Sequence, residues 1–82
     1  MKNQDHQFNE ALYKTIGSEV RRLRIEEAKM SVLKYSKEIG LHRDIYTKIE
    51  KGTGEYYVST LQRALSFYPG MTLSKFFKSL EL

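Results

Sequence analysis

Cysteine is absent from the chain and proline occurs once, at position 69. Without cysteine, neither a disulfide nor a thiolate metal site can brace a domain of 82 residues. The histidines, His6 and His42, stand too far apart in sequence to suggest a metal pair. No apolar run approaches the ~20 residues of a membrane-spanning helix. The opening MKNQDHQFNE is polar where a signal peptide would be apolar. A cytoplasmic protein with no membrane partner is therefore expected. A domain this small buries only about 60% of its unfolded surface. Packed helices, with a partner subunit, are the remaining source of stability.

Catalytic patterns are missing as well. No histidine stands beside a nucleophilic serine, and no paired carboxylates lie clear of cations. Gly52-Thr53-Gly54 is a lone GxG rather than a phosphate cradle. The reading is that the chain is not an enzyme and takes no cofactor, metal or small-molecule ligand.

What is present is helical periodicity. Residues 1–8 are polar and aperiodic and read as a flexible arm, with one all-α domain of about five helices over 9–82. Leu12, Ile16, Val20 and Leu23 recur at steps of four, four and three, one face of a long helix that contains Gly17. Ser31 is an N-cap before Val32, Leu33, Tyr35 and Ile39, and Gly40 suits the left-handed stop, predicting a helix from Val32 to Ile39. Only Leu41 and His42 precede the next helical pattern, RDIYTKIE, which ends near Gly52. In it Ile45 and Ile49, with Tyr46, are expected to face inward. For the following helix two registers compete. One is a Ser59/Gln62 capping box, the other a start near Tyr57 that puts Val58 and Leu61 on one face. Leu61, Ala64, Leu65 and Tyr68 continue it to the breaker Pro69-Gly70. Thr72 then caps a last helix carrying Leu73, Phe76, Phe77 and Leu80.

Net charge is +4, from 14 Lys and Arg against 10 Asp and Glu. Between Lys29 and Gly52 lie six of those cations and three acids, so this segment holds +3 of the total. Charge concentrated on a short helix, a glycine stop, a sharp turn and a second short helix make the helix-turn-helix plan over about 31–51. In that plan the second helix enters the DNA major groove and shows its early side chains to base edges. The base-reading set is then His42, Arg43, Asp44, Thr47 and Lys48, within residues 42–51. Arg43 can bond guanine twice, Lys48 can reach guanine or phosphate, and Asp44 can accept from cytosine N4. Asp44 has a second reading, in which it holds Arg43 in place or serves the helix dipole. His42 fills an N-cap slot rarely given to imidazole, either touching the nucleic acid or serving structure.

Ser31, Lys34, Lys37, Lys51 and Thr53 are the phosphate candidates. Of Tyr56 and Tyr57, one hydroxyl is expected on the sugar-phosphate chain, assigned to Tyr56, and the other ring over the core. Phe76, Phe77 and Leu80 either close the domain's own core or meet a second subunit, and are the dimer-interface candidates.

Leu23-Arg24, Ser31, Gly40-Leu41, Arg43, Ile49-Glu50-Lys51-Gly52 and Leu61 resemble the lambda-repressor and Cro-like (XRE-type) helix-turn-helix family of bacterial and phage regulators. The resemblance runs from about Ile16 to Phe77 and is tightest from Ser31 to Gly52. It implies a five-helix domain whose third helix reads a palindromic operator in double-stranded DNA as a homodimer. It also implies an ion pair between Glu50 and Arg24. The chain departs from the family at three places. Tyr35-Ser36 stands where Leu-Ala is usual, implying a repacked core. Val32 replaces a phosphate-binding Gln, for which Lys34 is the substitute. The step from Arg24 to Ser31 is one residue longer, which bears on the Glu50–Arg24 pair. The rival reading is a protein-interaction module, or an antitoxin-like partner of another protein, with the same fold and weak DNA binding.

Overall fold

Apolar residues at steps of four place one stripe of α1 (Lys2–Leu23) against the rest of the chain, burying Ile16, Val20 and Leu23. The structure, a computed structural model, describes residues 2–80, with side chains from Glu10 onward. The arm expected over 1–8 falls among residues whose side chains lie outside that description. α1 runs unbroken through Gly17. A Cβ at Gly17 would stand 2.5 Å from the carbonyl oxygen of Ile49 and 2.7 Å from that of Glu50. The glycine thus lets two helices meet backbone to backbone, which offsets the ~1 kcal/mol it costs inside a helix.

A π-helical turn, Arg24–Ala28, follows α1, and Lys29 closes it in the left-handed region at φ 55°. A π turn accommodates one additional residue in a helix. It thereby absorbs the extra residue between Arg24 and Ser31, and Arg24 still reaches Glu50.

α2 (Val32–Ile39) begins at Ser31, whose hydroxyl accepts from the Lys34 N–H at 3.2 Å. It ends at Gly40, left-handed at φ 71°, where Leu41 N–H returns to the Ser36 carbonyl. α3 (Arg43–Glu50), α4 (Val58–Ala64) and α5 (Leu73–Ser79) complete five α-helices, with no strand among the described residues. Of the two registers weighed for α4, the later start of the Ser59 box does not form, and Tyr57 is the N-cap. Val58 lies one turn before Leu61 on α4, exposed at the helix start while Leu61 is buried. α4 also stops at Ala64, short of Pro69, and residues 65–70 continue as turns. Thr72 caps α5 by accepting from Lys75 N–H at 3.1 Å.

Tyr35 fills the middle of the domain in place of a smaller aliphatic side chain. Its ring lies 5.3 Å from Tyr46 and 5.6 Å from Phe67, centroid to centroid. Its hydroxyl donates to the Ala64 carbonyl at 2.6 Å, tying α2 to the end of α4. That bond supplies the polar partner a buried tyrosine needs. No helix among the described residues is long and apolar enough to cross a membrane.

Candidate nucleic-acid interface

The buried stripe of α3 is Tyr46 and Ile49, with Glu50 beside them. Ile45 lies outside it at 41% exposure, correcting the expectation that it would anchor the helix. The reason is tertiary. Tyr46 packs its ring on Tyr35 and donates its hydroxyl to the Glu50 carboxylate. That commits the stripe to residues 46, 49 and 50 and turns Ile45 outward.

Arg24 locks the same helix from behind. Its Nε donates to Glu50 Oε2 at 2.7 Å and its Nη2 to Oε1 at 3.2 Å, while Nη1 donates to the Met30 carbonyl at 2.7 Å. Both side chains of the pair are only 10% exposed. The hydrogen bond to Glu50 holds the Arg24 guanidinium above its ordinary range. One forked contact therefore fixes the end of α1, the π turn and the last turn of α3 relative to one another.

On the opposite side of α3 stand Arg43, Asp44, Ile45 and Lys48, all exposed, with His42 at the N-cap. His42 Nδ1 accepts the Asp44 N–H at 3.1 Å, which requires a neutral ring carrying its proton on Nε2. The N-cap slot is thus structural, and the Nε2–H points its donor capacity elsewhere. The Asp44 carboxylate lies 3.9 Å from both Arg43 Nε and His42 Nδ1. That distance is Coulombic and too long for a hydrogen bond. At 73% exposure Asp44 keeps its oxygens available as acceptors while its charge stays within 3.9 Å of Arg43 Nε. Thr47 is half-buried, and its hydroxyl proton goes to the Arg43 carbonyl at 2.7 Å, leaving its lone pairs and methyl at the edge of the face.

Lys34 and Lys37 project from α2, and Lys51 from the end of α3, all exposed. Lys37 shares a recess between the two helices with Leu33, Leu41, His42 and Arg43. The Ser31 hydroxyl accepts at the cap and retains its proton for an outside acceptor.

Three assignments need correcting. Thr53 donates its hydroxyl to the Lys48 carbonyl at 3.1 Å and accepts from Glu55 N–H at 3.1 Å, so it closes the turn after α3 instead of offering a donor to phosphate. Tyr56 is turned in: its ring meets Tyr13 edge-on at 5.9 Å and its hydroxyl is buried with no hydrogen bond among the described residues. Burial pushes that phenol up to about 12. Its neighbour Tyr57 is the outward ring, at 82% exposure. Gly54 marks the difference, since a Cβ there would meet the Tyr13 ring at 2.5 Å, drawing this stretch of loop onto α1. Phe76 is fully buried in the domain's own core and leaves the dimer-interface candidates, while Phe77 stays exposed and Leu80 half-buried.

Sequence reasoning missed the outward placement of Ile45 and Leu33, two large aliphatic side chains beside the basic groups. Their periodicity fitted a buried stripe as well as an exposed one. Compared with models of known protein families, with curated proteins and with solved structures, the chain matches none.

Proposed function

We propose that the chain is a sequence-specific DNA-binding transcriptional regulator of lambda-repressor-like architecture, acting as a homodimer on a two-fold-related operator. The observation that carries this reading is the two-sidedness of α3. Its inner side is held by Tyr46, Ile49 and the Arg24–Glu50 fork, while its outer side exposes Arg43, Asp44 and Lys48. A rigid helix with a polar, mainly cationic outer row, set one tight turn after a second short helix, suits insertion into the major groove. Arg43 donates to guanine, Asp44 accepts from cytosine N4, and Lys48 reaches guanine or phosphate, each good contact giving about 1–3 kcal/mol of discrimination. Ser31, Lys34, Lys37 and Lys51 hold the flanking phosphates, and Tyr57 takes the role first assigned to Tyr56. Phe77 and Leu80 on α5 are the apolar side chains offered to a second subunit.

Selection of bound duplexes from a random pool tests the reading. Enrichment of sites with two related half-sites is the expected result, and no enrichment would overturn it. The exposed Asp44 carboxylate favours one rival, a protein-interaction module, because an acid on this face repels phosphate. That rival requires duplex binding to be absent or indifferent to sequence.

A further inference from the structure

We infer that Ile45 is a specificity-determining residue that reads the C5-methyl group of thymine; the inference rests on the DNA-binding reading above. The domain is small and short of apolar core, yet Ile45 stays 41% exposed in the middle of its best-anchored short helix. Tyr46 and Ile49 occupy the buried side of α3, each at 0% exposure, and leave Ile45 outside it. Ile45 stands next to Asp44 in sequence and one helical turn from Lys48, both exposed. Arg43 and Lys37 line the recess between α2 and α3.

An occupant that matches this face must be anionic overall and still offer an apolar group at the position of one branched side chain. In the major groove that group is the thymine C5-methyl, where cytosine presents only a C5–H beside its N4 amine. Ile45 can satisfy none of those donors or acceptors. Set against a cytosine amine it removes water without replacing the hydrogen bond, and set against thymine it buries a methyl. Arg43 and Lys48 select guanine by hydrogen bonding, and Ile45 adds a thymine position by contact and by exclusion.

The experiment uses the intact chain and a duplex recovered by selection from a random pool. Each thymine of one half-site is replaced singly by uracil, which keeps the hydrogen-bonding edge and lacks the methyl. At one position the wild-type affinity should fall about threefold to fivefold, the size expected for one buried methyl. Ile45→Ala should bind the thymine and uracil duplexes equally at that position, and Ile45→Val should restore part of the difference. If no thymine is sensitive to loss of its methyl while binding stays salt-dependent and selective, the inference is overturned and the DNA-binding reading stands. An Ile45→Ala variant that keeps the full thymine-over-uracil preference overturns it equally. If the wild type binds no duplex, the DNA-binding reading itself fails.

Discussion

His42 starts α3 with one of its two ring nitrogens. Nδ1 accepts the Asp44 N–H and starts α3, so the donor left over is Nε2–H. Loss of an N-cap acceptor costs about 1 kcal/mol. His42→Ala is therefore expected to lower the free energy of unfolding in urea by about that much, and His42→Asn to recover most of it. Tyr56 is the opposite case, a buried hydroxyl with no hydrogen bond among the described residues. Replacing such a group with an apolar one of the same shape is neutral or stabilising, so Tyr56→Phe should not destabilise the domain at neutral pH. Burial raises this phenol to about 12, and burial raises Tyr35 and Tyr46 in the same direction. Below the ordinary tyrosine value of about 10 both folded and unfolded chains hold these protons. Above it the unfolded chain loses them first, so stability falls as pH rises through about 12 for Tyr56. Unfolding free energies measured at rising pH in this window should decline, less steeply in Tyr56→Phe than in wild type.

At the scale of elements, Gly17 decides how closely α1 approaches α3. Alanine normally stabilises a helix by about 1 kcal/mol relative to glycine. Here a Cβ would collide with the Ile49 and Glu50 carbonyls, both backbone atoms. Gly17→Ala is expected to destabilise by about 1–3 kcal/mol, the usual range for overpacking, as read from a denaturant midpoint. The same scale shows which parts of the fold were legible beforehand. Ser31, Gly40 and Thr72 announced the ends of α2 and the start of α5, because caps and left-handed stops are chemistry between near neighbours. Ile45 and Tyr46 were not separable by that means. Both fit an apolar stripe, and the choice depends on Tyr35, which reaches α3 only through the tertiary fold. The same holds for Tyr56 against Tyr57, decided by Tyr13 on α1. The π turn was hidden for another reason: the extra residue was visible as a longer step, but its backbone form depends on where Arg24 must end.

Over the whole molecule, charge is sorted by partner more than by count. Arg22 on α1 is held by Glu19 at 2.7 Å and by Glu26 of the π turn at 3.2 Å, and Arg24 is committed to Glu50. Arg63 lies over the end of α2, with Nη1 3.5 Å from the Ile39 carbonyl. Lys34, Lys37, Arg43, Lys48 and Lys51 are exposed cations on α2, α3 and the turn that follows, with Asp44 3.9 Å from Arg43. The exposure of Arg43, Asp44 and Lys48 was readable, since it follows from the helix itself. Thr53 and Tyr56 were not, since loop side chains answer to contacts that no periodicity reveals.

Duplex affinity measured against salt concentration, in wild type and in Arg43→Ala, is the sharpest test that this surface holds DNA. With Lys34, Lys37 and Lys51 of two subunits on phosphates, log affinity should fall with log salt at a slope of about −5. Arg43→Ala should weaken binding to a selected duplex about tenfold to a hundredfold while leaving most of that slope in place. Affinity that does not change with salt, together with an Arg43→Ala variant that binds as wild type does, would contradict it.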